Sequence, residues 1–77
     1  MPRKRPPTLA ELQAVCDQWN AKYPVGTSVE YHPVIDEPEH RVRTTRTPAQ
    51  VLSGHTAVVW LNEERGCVAL EACVPKP

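Results

Sequence analysis

Proline constrains this chain more than any other residue. Nine prolines in 77 residues each fix φ and remove a backbone donor, so helices and central strands are interrupted wherever one falls. Pro24, Pro33, Pro38, Pro48 and Pro75 divide the sequence into short pieces, and the absence of phenylalanine points the same way. One domain is the ceiling, because a chain this small buries only about 60% of its unfolded surface. A hydrophobic content of 40%, two Trp, two Tyr and no repetitive tract are nonetheless the composition of a folded protein.

Residues 1–7 (MPRKRPP) lack periodicity and read as a flexible basic arm, leaving 8–77 as a single domain. Thr8 and Glu11 are spaced as a capping box: the Thr8 hydroxyl accepts from the Glu11 N–H while the carboxylate reaches back. Leu9, Leu12, Val15, Cys16 and Trp19 then recur at helical spacing, and Pro24 stops the helix at Tyr23 or earlier. Cys16 lies in that stripe and reads as a small buried hydrophobe, with Trp19 the anchor of the helix on the rest of the fold.

Beyond the turn at Pro24–Gly26 the pattern changes to alternation. Thr27, Val29 and Tyr31 share one face of a strand over 27–31, with Ser28 and Glu30 on the other. Residues 32–40 hold two prolines and three carboxylates and read as an exposed acidic loop. Arg41–Thr47 alternates again, with Arg41, Arg43 and Thr45 expected toward solvent and Val42, Thr44 and Arg46 opposite. A short strand follows Pro48, with a turn at Gly54. Ala57–Leu61 (AVVWL) is the core strand, entering a hairpin at 62–66 whose partner is expected to run unbroken from Cys67 to Val74 and to end at Pro75. Alternation pairs Trp60 with Val58 and leaves open whether that face is inward.

One helix and four or five short strands predict an α+β domain: an N-terminal helix packed on a small, strongly bent antiparallel barrel. The segment Gly66-Cys67-Val68-Ala69-Leu70-Glu71-Ala72-Cys73-Val74 resembles the last two strands of SH3-like barrels, which implies that barrel type. The aromatic cluster with which SH3 domains hold proline-rich peptides has no counterpart, Tyr31 and Trp60 being the only barrel aromatics. More of the chain, from Trp19-Asn20 through Pro24-Val25-Gly26-Thr27 to Ser53-Gly54-His55-Thr56-Ala57-Val58-Val59, is similar to small uncharacterised proteins of bacteriophages and prophages. That resemblance implies no established activity. It suggests an accessory protein or an inhibitor that occupies a host or phage protein, a defence complex included, with an acidic loop suited to mimic phosphates.

Nine basic and nine acidic residues give a formal charge of zero, so no whole-molecule field draws the chain to nucleic acid or an anionic membrane. No stretch approaches the roughly 20 apolar residues of a membrane span, and the basic start meets Pro6 and Pro7 instead of a signal core, so a cytoplasmic location is expected. Three cysteines without a CxxC pair read as reduced thiols, and His32, His40, His55, Cys67 and Cys73 show no zinc-ligand spacing. Cys67 and Cys73, six residues apart, would lie about 20 Å from each other along an extended strand. Phosphate-loop motifs and a nucleophile turn are missing too, so no enzyme, cofactor or metal is expected.

The charges are blocked, and the blocks supply two function hypotheses. In the first, a non-enzymatic protein-binding domain, Asp36, Glu37, Glu39, Arg41 and Arg43 form a contact region of complementary charge. In the second, a nucleic-acid-binding barrel, Arg3, Lys4, Arg5, Arg41, Arg43 and Arg46 contact phosphates, against repulsion from the carboxylates at 30–39. A monomer or weak homo-oligomer suits either.

Overall fold

The computed structural model describes residues 6–34 and 37–76. Helix α1 (Leu9–Lys22) starts where the capping box places it: the Glu11 N–H donates to Thr8 Oγ1 at 3.2 Å, and the Thr8 hydroxyl donates to Glu11 Oε1 at 3.2 Å. It stops one residue short of Tyr23, whose N–H donates to the Trp19 carbonyl at 2.7 Å while its φ/ψ are already extended. Only part of the apolar stripe is covered. Leu12 and Cys16 are buried and Trp19 packs against the core, whereas Leu9 and Val15 remain exposed.

Six short strands follow among the described residues: β1 (Ser28–Tyr31), β2 (Arg41–Thr44), β3 (Gln50–Leu52), β4 (Thr56–Trp60), β5 (Cys67–Ala69) and β6 (Cys73–Pro75), with a one-turn 3₁₀ helix over Leu70–Ala72. They form two antiparallel three-stranded sheets, ordered β2-β1-β6 and β3-β4-β5. The architecture is α+β, and the strands make two sheets instead of one closed ladder. The sheets meet where Thr45 bridges Leu61, with Arg46 N–H donating to the Trp60 carbonyl and Asn62 N–H to the Thr44 carbonyl, each at 2.9 Å. β2 and β3 therefore act as one bent strand shared between the sheets. Pro48 makes the bend and has no N–H for the ladder, and the neighbouring Thr47 hydroxyl accepts the Trp60 N–H at 3.2 Å.

The core lies between the sheets and under α1. Cys16, Val29, Ala49, Val59, Leu61, Val68, Leu70 and Cys73 form it, with Tyr31, Val51 and Ala57 packed on its margin. Trp60 is half-buried outside that cluster, on the Val58 side of β4. Asn20 fastens the helix to the start of β3. Its Oδ1 accepts the Ala49 N–H at 2.8 Å and its Nδ2 donates to the Ala49 carbonyl at 3.0 Å, so one side chain reproduces a strand partner.

Left-handed backbone occurs in three turns among the described residues, at Gly26, at Ser53–Gly54 and, with φ 70°, at Glu63. Gly26, at φ 99°, lets the chain reverse so that its N–H reaches both the carbonyl and the hydroxyl of buried Thr45. Between β3 and β4, Ser53 and Gly54 both have positive φ, and His55 N–H donates to the Leu52 carbonyl, the sign pattern of a type I′ turn.

Two expectations from alternation change. The strand expected over 67–74 is broken by the 3₁₀ turn, which shifts the phase: Val68, Leu70, Ala72 and Cys73 are all buried, and Val74 is 50% exposed. Pro75 ends the sheet as expected: it pairs with Val29 as the last residue of β6, an edge strand where its missing N–H costs no ladder bond. The faces of β2 are also reversed. Arg43 pairs across to Val29 and Arg41 to Tyr31, so both arginines share the core-side face that ends in buried Thr45, and Val42 is the residue turned outward at 57% exposure. Alternation fixes which residues share a face; only pairing with Val29 decides which face is inward.

Candidate functional site

The residues proposed from sequence as a contact region separate into two groups. Glu37 and Glu39 are exposed in the loop between β1 and β2 and form no ion pair among the described residues. The loop is held by the Glu37 N–H donating to the Val34 carbonyl at 3.1 Å and by a 3.3 Å contact of His40 Nδ1 with the Pro38 carbonyl. Asp36 lies outside the described residues. Val34 and Val42, both about half exposed, flank the acidic stretch.

Arg41 and Arg43 are engaged elsewhere. Because β2 places them on the core side at the open end of the sheet, their guanidinium groups need a carboxylate, and the hairpin after β4 supplies it. Glu64 accepts from Arg43 Nε at 3.1 Å and from Arg41 Nη1 at 3.2 and 3.3 Å, and the Glu64 side chain is only 14% exposed. Arg43 Nη1 also donates to the Val42 carbonyl at 3.0 Å, and Glu63 stands 4.0 Å from it. These arginines clip the 62–66 hairpin to β2, and their charge is neutralised locally.

Arg46 is exposed, with Nε donating to the Leu61 carbonyl at 3.2 Å and no carboxylate partner among the described residues. Arg3, Lys4 and Arg5 lie outside those residues. Of the six cations named for nucleic acid, Arg46 is thus the one described residue whose charge is available.

The sheet register also assembles a cluster that sequence reading missed. On the outer face of β1, Glu30 receives Lys76 Nζ at 2.9 Å, His32 Nε2 at 3.1 Å and His40 Nδ1 at 3.8 Å, and the two imidazoles lie 5.7 Å apart. The hydrogen bond from Lys76 holds the Glu30 carboxyl below its ordinary range, aided by the nearby imidazoles and opposed by partial desolvation. Val42 and Val74 sit directly opposite Glu30 on either side, so this charged group is bounded by exposed apolar residues. The strand face of Glu30 was visible in sequence, whereas His32 was assigned to the following loop; the approach of His32, His40 and Lys76 to Glu30 appears only in the folded chain, with the β1–β2 and β1–β6 pairings.

The thiols read as structural. Cys16 is fully buried and its thiol is pushed up by burial, with the Asp17 carboxylate adding to the effect. Burial pushes the Cys73 thiol up to about 11, and its Sγ faces the Ala69 carbonyl at 3.8 Å. All three cysteines are free. Among the described residues no three His, Cys, Asp or Glu side chains are grouped to hold a metal ion, and no helix is long and apolar enough to cross a membrane. No protein family, curated protein or solved structure matches this chain.

Proposed function

We propose that this chain is a non-enzymatic, cytoplasmic protein-binding domain with an SH3-like small-barrel fold, a phage or prophage accessory protein or inhibitor of a host protein, and that its contact region is centred on the 34–42 loop and strand. The fold reading rests on connectivity: a bent strand shared by two three-stranded sheets, and a last strand returning to β1 after a 3₁₀ turn. The function rests on one observation, that Glu37 and Glu39 are exposed and unpaired among the described residues while Arg41 and Arg43 are both held by Glu64. The available surface is acidic, edged by Val34 and Val42. Such a surface suits a basic protein partner with an apolar centre. It repels a phosphate backbone, which weakens the nucleic-acid alternative.

The test is affinity capture from bacterial lysate, with and without nuclease, comparing the wild-type chain with Glu37→Lys/Glu39→Lys. A nuclease-resistant protein retained by the wild type and lost by the folded variant supports the proposal. Recovery of nucleic acid with an affinity falling steeply with salt, or a partner held equally by the charge-reversed variant, overturns it.

A further inference from the structure

The uncovered part of α1 forms a surface of its own. Val15, 48% exposed, and Trp19 are the common wall of two concavities: one of about 590 Å³ that continues over Ala57 and Leu70 to Glu71, and one of about 180 Å³ that continues to Lys22. The middle of this surface is apolar. A carboxylate stands at one end and an ammonium at the other, both exposed and neither in an ion pair among the described residues.

That charge arrangement selects an occupant. A two-fold axis lying in the interface at right angles to the line joining two opposite charges reverses that line, so a patch with opposite charges at its two ends meets its complement at both, whereas a patch of one sign opposes its copy about any axis. We propose that this face is the interface of a homodimer, in which two copies pack antiparallel across Val15 and Trp19 with Glu71 of each copy opposite Lys22 of the other. The apolar centre drives association and the two end pairs set its direction. An interface built on one 14-residue helix and its flanks falls at the small end of specific contacts, and a dissociation constant of about 10–100 µM is expected.

Sedimentation equilibrium of the full chain from about 5 µM to about 1 mM, at about 50 mM salt, tests the inference. Lys22→Glu and Glu71→Lys should each weaken the dimer about tenfold, and the double exchange Lys22→Glu/Glu71→Lys should restore it to within about threefold of the wild type. Val15→Asp should give a monomer throughout, with circular dichroism and urea midpoint reporting that this half-exposed site tolerates the change. A wild type that stays monomeric to about 1 mM, a dimer indifferent to both charge changes, or a double variant weaker than either single one overturns the proposal.

Discussion

Replacing Asn20 by alanine should remove a large share of this domain's stability. Asn20 makes two part-buried hydrogen bonds, at 2.8 and 3.0 Å, to the N–H and carbonyl of Ala49, and Ala49 is only 5% exposed. Water cannot take over these groups unless the seam between α1 and β3 opens. The two lost bonds contribute about 1 kcal/mol each, and leaving a buried donor and acceptor unpaired raises the total to about 2–4 kcal/mol. For 77 residues the whole stability is about 4–12 kcal/mol, so Asn20→Ala should lower Tm by about 10–25 °C. Urea unfolding followed by Trp fluorescence measures the effect, since Trp19 adjoins the seam. Gln13→Ala is the matched control: it deletes an exposed 3.0 Å side-chain bond to Asp17 and should cost less than about 0.5 kcal/mol. A loss below about 1 kcal/mol for Asn20→Ala, or equal losses for the two variants, would show that the seam is not what holds the helix.

Glu64→Gln should cost about 1–3 kcal/mol in the same assay, because the Arg43 side chain, 24% exposed, loses its charged partner; exposed Glu63, 4.0 Å from Arg43, should change stability by less than about 0.5 kcal/mol on conversion to Gln. Equal effects would refute the clip. Glu30 titrates below its ordinary value because of Lys76, so its contribution is fully present above the usual carboxylate range near about 4.3 and is lost as pH falls through the lowered folded value. Denaturation midpoints across that window should decline less steeply in Glu30→Gln than in the wild type; parallel declines would remove Glu30 from the acid response. In native thiol labelling, half-buried Cys67 should react first, with Cys16 and Cys73 reacting only as the fold opens, because burial raises both thiols. Equal rates at all three would contradict their burial.

The interactions that proved legible in sequence are those made between near neighbours. Thr8 and Glu11 are three residues apart and satisfy one of the first turn's donors, the Glu11 N–H, between themselves, and Pro24 ends α1 whatever packs around it. Strand alternation likewise belongs to the local backbone and correctly grouped Val29 with Tyr31, Val59 with Leu61, and Arg41 with Arg43 and Thr45. The helix and the short strands, hence the α+β class, follow from these local signals, whereas the division of the strands into two three-stranded sheets instead of one barrel does not.

Only the tertiary structure decided what each face meets. The inward phase of β2 comes from the Val29–Arg43 pairing, which spends on Glu64 the two arginines that sequence assigned to a binding surface. The 3₁₀ turn at Leu70–Ala72 lets the chain leave the β3-β4-β5 sheet and return to β1, an advantage that no window of local sequence contains. Asn20 reads as an ordinary polar helix residue until Ala49, 29 positions away, lies beside it. Local hydrogen bonds and periodicity are written in adjacent residues, whereas register, charge pairing and the half-covered stripe of α1 depend on contacts between segments that sequence order keeps apart.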